Sequence, residues 1–367
     1  MSSPSEFTVV SLFAGCGGSS LGYKLAGGRC LLAVEFDANA AETYRLNFPG
    51  VPVIERDIAT VTAEEVLRLA GLAPGELDVL DGSPPCQGFS TAGKRRFGDP
   101  RNSLFREYVR LLEALRPRAF VMENVSGLVK GKMRLVFREI MVALKATGYR
   151  VRCKLLNAMW FGVPQSRQRL IWIGARPDLG AEPRFPEPRP MIPLKAVLPD
   201  LEGAYLSGPA NSRHVVNGRR PAWSADSLPA PTVGATVGGA NVIREERGPD
   251  ISRYAIGREW RNVRPGMNSR RYFNLCKPDP HKPAQSVCAG QGASSTAGLV
   301  HPFECRKFTI PELRRIMSFP DDFRLRGSFA DRWRVLGNAV PPQFMRAIAE
   351  TVRGTILSPE VAECAAG

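Results

Sequence analysis

The chain has 367 residues, 44% of them hydrophobic, which is enough to bury one large core and a smaller one. It contains no apolar run of about 18 residues, and Met1–Phe7 lacks the basic start of a signal peptide, so we expect a cytoplasmic protein without a membrane span. Fifty Lys and Arg against 35 Asp and Glu give a net charge of +15, which favours a polyanionic partner. Nucleic acid is the first candidate for that partner, and an anionic membrane surface is the second.

Short apolar runs alternate with helical patterns as far as Ala175. The predicted strands are Thr8–Phe13, Cys30–Phe36, Val51–Glu55, Leu77–Asp81, Ala119–Glu123, Arg150–Leu156 and Leu170–Ala175. The predicted helices between them are Ala38–Phe48, Ala63–Gly71, Ser103–Arg116 and Met133–Thr147. This alternation indicates an α/β fold with a doubly wound, Rossmann-like sheet, whose ligands bind beyond the carboxyl ends of the strands.

The texture of the sequence changes after Arg176. Residues 177–305 are rich in Pro, Gly, Ser and Arg, which predicts a smaller, mostly β or irregular domain. Within it Leu228–Val233 resembles Lys282–Val287, as two similar β elements or chance would explain. Helical periodicity returns at Thr309–Phe319, and a final helix is predicted at Gln343–Thr355 behind two prolines.

One segment of the smaller domain, Ile251–Lys277, carries seven basic residues and a single acid, with aromatic residues interleaved. Such a mixture can pair with phosphates and stack on bases, although a solvated basic face is the simpler interpretation of an isolated run. The aromatic residues are Tyr254, Trp260, Tyr272 and Phe273. The candidate DNA-binding arginines are Arg253, Arg258, Arg261, Arg264, Arg270 and Arg271.

Eight cysteines and three histidines occur without a C-x-x-C pair, so we expect reduced thiols and no metal site. Most of the thiols are expected to be small core residues. Cys86 differs, because Pro84 and Pro85 hold it in a turn directly after the fourth predicted strand. A turn is a poor place for a core residue, although a buried structural thiol is the usual role of a lone cysteine.

A glycine-rich turn, Phe13–Gly18, connects the first predicted strand to a helix. Glycine lets the backbone approach a ligand closely, and the helix start offers unpaired N–H groups. The second strand ends at Glu35, where a carboxylate can accept both hydroxyls of a ribose, and the third is followed by Asp57, which is suited to an adenine edge. Ser20 stands where a dinucleotide fingerprint has glycine, and a tight turn without a ligand is the alternative.

Further polar groups lie near the ends of later strands. Glu123 closes the fifth strand, and Gln165–Arg169 begins the last strand, where Gln165, Arg167 and Arg169 share one face. This face could present two guanidiniums to one substrate, although a surface strand could show the same pattern by accident. A thiol, a carboxyl and an arginine suit chemistry at C5 of cytosine. A thiolate that adds to C6 makes C5 nucleophilic, an acid assists at N3, and an arginine stabilises charge at O2.

The motifs resemble, in order and over most of the chain, those of the bacterial and phage DNA (cytosine-5)-methyltransferases. Six matches in sequence are far more specific than any one of them. The matching motifs are Ser11–Gly18, Pro85–Gln87, Glu123–Val125, Gln165-x-Arg167-x-Arg169, Arg306–Pro320 and Gly337–Val340. One departure is Ser11, where the family often has Asp, and we expect this change to retune the cofactor loop.

The resemblance implies methyl transfer from S-adenosylmethionine to C5 of a cytosine flipped out of double-stranded DNA, leaving S-adenosylhomocysteine. It implies that Cys86 is the nucleophile bonded to C6, Glu123 the partner of N3 and Arg169 the donor to O2, with Arg167 and Gln165 supporting the pocket. The residues that it implies around S-adenosylmethionine are Phe13, Gly15, Gly18, Glu35, Phe36, Asp57, Ile58, Pro85, Leu104, Asn338 and Val340.

The resemblance also implies a division of the chain. Residues 1–176 would form the catalytic, cofactor-binding domain, residues 177–326 the target-recognition domain and hinge, and residues 327–367 a segment that returns to the catalytic domain. The expected partner is double-stranded DNA, bound by a monomer without metal or membrane, and a cognate restriction endonuclease is a further candidate partner.

Four other classes compete with this interpretation. A nicotinamide dehydrogenase shares the fold, but nothing in the sequence explains hydride transfer. An enzyme that methylates amino groups of DNA would carry an aromatic residue where Cys86 stands. A recognition region of more than 100 residues is large for a tRNA-directed relative. An inactive DNA-binding regulator would not need Cys86, Glu123 and Arg169 together.

Overall fold

The computed structural model describes residues 6–85, 104–199, 201, 248–272 and 274–358. Cys86, Gln87, Ser103, Phe273 and the stretch Leu228–Val233 lie outside the described residues.

Nine strands are described. They are β1 (Phe7–Leu12), β2 (Gly28–Val34), β3 (Val53–Ile54), β4 (Val79–Gly82), β5 (Ala119–Val125), β6 (Arg150–Asn157), β7 (Gln165–Ser166), β8 (Gln168–Ala175) and β9 (Ala284–Gln285). Seven of them form one sheet in the order β3-β2-β1-β4-β5-β8-β6. Strand β8 runs antiparallel to β5 and β6, and the other neighbours in this sheet are parallel. The predicted doubly wound α/β sheet is confirmed.

Helices cover both faces of this sheet. The described helices, not all of which lie on the sheet, are α1 (Gly18–Leu25), α2 (Ala38–Asn47), α3 (Ala63–Ala70), α4 (Leu104–Leu115), α5 (Arg134–Ala146), α6 (Leu194–Val197), α7 (Ala255–Trp260), α8 (Ile310–Ile316), α9 (Phe329–Asn338) and α10 (Pro342–Val352). Alternate strand residues face opposite sides. Phe120 and Met122 of β5 pack in one core with α3, α4 and α5, whereas Val121 packs in another with α1 and α10.

Side-chain caps define where the C-terminal helices begin. Thr309 and Glu312 form a reciprocal capping box at the start of α8, and Ser328 and Asp331 form one at the start of α9. Each box satisfies backbone N–H groups that the first helical turn leaves unpaired, a contribution of about 1 kcal/mol per cap. The caps therefore set where these two helices begin.

The third predicted strand is shorter than the pattern indicates. Only Val53 and Ile54 pair with β2, at the edge of the sheet. Pro52 lacks an N–H, and its carbonyl accepts a hydrogen bond from the backbone N–H of Ala33 at 3.0 Å. Such a residue marks the end of regular pairing on an edge strand.

The prediction that one strand begins at Gln165 is wrong. Strand β7 pairs in parallel with β9 in a separate two-stranded sheet, and β8 starts only at Gln168. The backbone of Arg167 between them is engaged elsewhere. Its N–H donates to Asn157 Oδ1 at 2.9 Å, and its carbonyl accepts from the N–H of Ala158 at 2.9 Å.

No helix in the described part of the chain is long and apolar enough to cross a bilayer. Within the same residues, no group of three or more His, Cys, Asp or Glu side chains could hold a metal ion. The six cysteines that the structure describes are free thiols.

Candidate active site

The loop after β1 has backbone geometry that requires glycine at several points. Phe13 (φ 54°), Gly15 (φ 56°) and Gly17 (φ 93°) have left-handed conformations. For Phe13 such a conformation costs about 1–3 kcal/mol, and strain of this kind concentrates at functional sites. A Cβ atom on Gly18 would lie 2.2 Å from the carbonyl oxygen of Val340. A Cβ on Gly15 would meet nothing within 4 Å, so the loop has an open side there.

Glu35 holds this loop from the end of β2. Its Oε2 accepts the backbone N–H of Gly15 at 2.7 Å, and its Oε1 accepts that of Asp37 at 2.8 Å. Burial raises the pKa of Glu35, while the backbone hydrogen bonds oppose that rise. A carboxylate offers about four acceptor positions, so each oxygen can still accept a hydroxyl. Glu35 therefore orders the loop and remains able to bind a ligand.

The neighbouring residues fit an adenosine moiety. The ring of Phe36 is 74% exposed beside Glu35, so its face is free to stack on a flat ligand. Asp57 Oδ1 accepts the N–H of Ala59 at 3.0 Å and caps the short helix that starts at Ile58, which is itself buried.

The remaining residues predicted for this site come from three other segments. Pro85 and Leu104, which border the undescribed residues 86–103, are partly buried. Asn338 is exposed at the end of α9, and Val340 is buried with its carbonyl against the glycine loop. The chain's C-terminal motif thus lies beside its N-terminal motif. An open loop, a carboxylate with spare acceptor positions and an exposed ring together fit S-adenosylmethionine.

A second group forms where β5 and β8 lie side by side. Arg169 Nε is 2.6 Å from Glu123 Oε1, and the two side chains are 15% and 10% exposed. Their contact follows from the antiparallel register, in which Val125 lies opposite Arg169. Asn124 Nδ2 donates to the carbonyl of Pro84 at 2.9 Å. The carboxylate and guanidinium are therefore attached to the turn that leads into Cys86.

Arg167 is 2% exposed and does not join this pair. Its Nη1 donates to the carbonyl of Val287 at 3.0 Å, and its Nη2 donates to those of Gly337 and Ala339 at 2.9 and 3.0 Å. Burial, and then the nearby charge of Arg169, lowers the pKa of Arg167 to about 9, so it stays charged at neutral pH. The idea that two guanidiniums face one substrate is wrong, because the guanidinium of Arg167 donates to backbone carbonyls from two other segments of the chain.

Gln165 is fully buried and also points away from the pair. Its Nε2 lies 3.0 Å from the sulfur of Met317, whereas no partner for its Oε1 occurs among the described residues. Sequence reasoning assigned no role to Asn124 or to Asp81, which is buried at the end of β4. A lone polar side chain in an apolar strand end is the signal that could have marked both.

The six arginines predicted to bind DNA are all exposed. The guanidinium groups of Arg253 and Arg271 lie over the rings of Tyr254 and Tyr272, at 5.9 and 5.7 Å from the respective ring centroids. Lys277, the seventh cation of the segment, is only 5% exposed and lies 3.3 Å from the centroid of Trp260. Burial lowers its pKa to about 8. Lys277 therefore does not belong with the six solvent-facing cations of this segment.

The family model for C-5 cytosine-specific DNA methylases matches residues 7–354. The chain belongs to the C-5 cytosine-specific DNA methylase family. It is an enzyme, a DNA (cytosine-5-)-methyltransferase, and the resemblance seen in its motifs is confirmed.

Two curated relatives agree with this family, and one solved structure shares the fold. The type II methyltransferase M1.HphI of Haemophilus parahaemolyticus is 36% identical over 95% of this chain and 87% of its own. M.DdeI of Desulfomicrobium norvegicum is 33% identical, with 94% and 88% covered. A proposed DNA modification methyltransferase encoded within an E. coli prophage shares the fold, with a TM-score of 0.71 at 23% identity, covering 96% of this chain and all of that one.

Proposed function

We propose that this enzyme transfers a methyl group from S-adenosylmethionine to C5 of a flipped-out cytosine in a specific double-stranded DNA sequence, through a Cys86–C6 bond. The observation that carries the proposal is the Glu123–Arg169 pair, attached through Asn124 to the turn that precedes Cys86. The type II relatives support a role in restriction-modification. A cognate endonuclease, a monomeric state and a cytoplasmic location stay predictions.

The chemistry of the ring explains why these three groups are needed. The Cys86 thiolate adds to C6, and the electron pair of the C5–C6 bond moves to C5. Glu123 donates a hydrogen bond or proton to N3, and Arg169 donates to O2. N3 and O2 are adjacent on one edge of cytosine, so two side chains already in contact suit them. Once C5 carries the methyl group, it loses its proton to a base, the electron pair of that C–H bond re-forms the C5–C6 double bond, and the Cys86 sulfur leaves C6, which restores the aromatic ring.

The methyl donor would be held by the residues around the glycine loop. Glu35 would accept the ribose hydroxyls, Phe36 would stack near the adenine, and Asp57 would accept from its amino group. When bound, S-adenosylmethionine supplies the electrophilic methyl carbon. Gly15 and Gly18 keep the loop backbone close to that site, and Val340 closes it from the C-terminal side.

A Glu35→Ala enzyme is expected to bind S-adenosylmethionine about 10- to 150-fold more weakly, the scale of 1.5–3 kcal/mol for losing a charged hydrogen-bond partner. Calorimetric titration of the cofactor measures the change. The matched control is Glu42→Ala, which removes an exposed carboxylate of α2 and should leave the affinity unchanged. Binding of NADH in preference to S-adenosylmethionine would contradict the assigned cofactor.

We assign DNA contact to the exposed arginines of Ile251–Lys277. Access to both faces of a cytosine ring requires that the base leave the stack, and a cationic surface must hold the duplex meanwhile. Six exposed guanidiniums are more than a short recognition site needs for base contacts. We expect most of them to anchor phosphates and one or two to read base edges.

Single alanine substitutions of the six arginines separate these two roles. Loss of a phosphate contact should weaken binding equally on cognate and scrambled duplexes. It should also reduce the slope of log binding constant against log salt concentration by about 0.9. Loss of a guanine contact should reduce the free-energy difference between the correct and a wrong base at one position by about 1–3 kcal/mol. Binding is measured across salt concentrations, with the exposed Arg68→Ala of α3 as control. If no variant changes affinity, slope or preference, the DNA surface lies elsewhere.

The covalent step is tested by trapping. Methylated DNA from an expressing host is first sequenced to find the target sequence. A duplex with 5-fluorocytosine at the target should then form an adduct with the enzyme that survives denaturing electrophoresis when S-adenosylmethionine is present. Fluorine cannot leave C5 as a proton does, so the sulfur stays bonded to C6. Methylation of normal DNA without any adduct would contradict the covalent route.

We also propose the division of the chain that the motifs imply, into residues 1–176, 177–326 and 327–367. The basic segment packs around a small core of its own that includes Ile251 and Val300. Another core joins catalytic-domain residues such as Tyr44 to Phe308 and Trp333. This core includes residues on both sides of position 326, so the junction near residue 326 stays a prediction.

A further inference from the structure

Three buried polar side chains link the two halves of the candidate site. Ser11 Oγ donates to Asp81 Oδ2 at 2.9 Å, and the Tyr23 hydroxyl donates to Asp81 Oδ1 at 3.3 Å. Ser11 and Tyr23 are fully buried, and Asp81 is 1% exposed. A carboxyl this deeply buried is costly unless its oxygens have partners. Both oxygens of Asp81 have one.

The place of this cluster in the sheet relates it to both reacting partners. Strands β1 and β4 are adjacent and parallel, and Ser11 lies directly opposite Asp81. Strand β1 continues into the glycine loop, and α1, which carries Tyr23, begins as that loop ends. Strand β4 continues into the turn before Cys86. Asp81 therefore joins both flanks of the cofactor loop to the strand that carries the nucleophile.

The arrangement offers an explanation for Ser11, the position where the sequence departs from the motif. The resembling family often has Asp at that position, whereas here the carboxyl stands on the facing strand at the same level of the sheet. Burial, and also the charge of Glu123, raises the pKa of Asp81 to about 7. A second carboxyl at position 11 would face Asp81 across the two strands, and the repulsion would further disfavour the ionised form of one of the two acids.

We propose that Asp81 is a positioning residue for methyl transfer, which holds the cofactor loop and the nucleophile turn in a fixed relation and replaces the aspartate that the family often has at position 11. The inference rests on the proposed function, since it assumes that the loop holds the methyl donor and that Cys86 attacks the base. Asp81 itself would touch neither the methyl donor nor the base. It acts through Ser11 and Tyr23 on the loop, and through β4 on the turn.

The expected consequence concerns the chemical step more than binding. Misplacement of reacting groups by about 1 Å can lower a rate about 100-fold. The contacts of Glu35 with Gly15 and Asp37 do not involve Asp81. An Asp81→Ser enzyme should therefore lose about 10- to 100-fold in kcat. Its Kd for S-adenosylmethionine should change by less than about threefold.

The test is an exchange of the two residues. Asp81→Ser, Ser11→Asp and the double variant are compared with wild type in kcat, in the Kd of the cofactor and in melting temperature. Each single variant should be impaired, Asp81→Ser because the carboxyl is lost and Ser11→Asp because two acids would face each other. The double variant has one carboxyl between the same strands, and its kcat should return to within about threefold of wild type. A purely structural role would lower the melting temperature and leave kcat, measured well below it, unchanged.

The possible outcomes separate this inference from the proposed function. A wild type without methylation or 5-fluorocytosine adduct would contradict the proposed function. An active wild type with an equally active Asp81→Ser would overturn the positioning role, as would a folded double variant no better than the single ones. If Asp81→Ser does not fold, Asp81→Asn keeps the shape. Its amide has one oxygen acceptor instead of two, and a kcat equal to that of wild type would also overturn the inference.

Discussion

Cys86→Ser is expected to lower turnover by at least about a thousandfold, because a serine hydroxyl gives almost no alkoxide at neutral pH, whereas a cysteine thiol gives a useful fraction of thiolate. The two side chains differ little in size, so binding of S-adenosylmethionine and of duplex DNA should largely survive. Transfer of labelled methyl groups measures the turnover, and calorimetry measures the two affinities. Near-normal methylation by the serine variant would contradict the nucleophilic role.

Cys153 provides the matched control for this experiment. It lies partly buried on β6, and burial raises the pKa of its thiol to about 12, so it has almost no thiolate at neutral pH. Cys153→Ser should therefore retain turnover and the 5-fluorocytosine adduct. If Cys153→Ser instead abolished the adduct, the assignment of Cys86 would be wrong.

Glu123→Gln should lower turnover by about 100- to 10,000-fold, the range for loss of a positioned general acid. Glutamine can still donate a hydrogen bond to N3, but it cannot transfer a proton, and it replaces the carboxyl group that lies 2.6 Å from Arg169. Single-turnover measurements with saturating DNA and cofactor isolate the chemical step.

Glu139→Gln is the control for this second variant, since Glu139 is a solvent-facing carboxylate of α5. It should behave as wild type. Equal single-turnover rates for wild type and Glu123→Gln would show that N3 needs no acid. A reduced cofactor affinity in Glu123→Gln, with an unchanged rate, would instead move Glu123 out of the base pocket.

The sheet and the order of its motifs could be predicted from the sequence because local patterns carry both. The strands predicted at Leu77–Asp81 and Ala119–Glu123 are short, mostly apolar runs, and the structure has strands at Val79–Gly82 and Ala119–Val125. Their type therefore follows from local pattern, whereas their limits shift by one or two residues. The contact between Glu123 and Arg169 also follows once the two strands are known to be adjacent.

The fate of Arg167 could not be predicted in the same way. Its spacing from Arg169 suggests a shared face, but its partners are carbonyls 120 to 172 positions further along the chain. Those carbonyls belong to loops whose positions depend on tertiary packing. The burial of Lys277 could not be predicted for a related reason. The ring of Trp260, which composition does not place, covers the ammonium group and removes it from solvent.

The pairing of the two ends of the described chain has a consequence for how the enzyme is made. Helix α10 packs on α1, where Met345 touches Gly22, and Arg353 Nη1 donates to the carbonyl of Ala26, 327 positions earlier, at 2.6 Å. A nascent chain that has reached only residue 325 lacks the segment that closes the glycine loop. Contacts between such distant positions form late, because loop closure precedes the stabilisation that they provide. Competence to methylate is therefore gained only after residues 340–353 have been synthesised, and chains terminated before them contribute none.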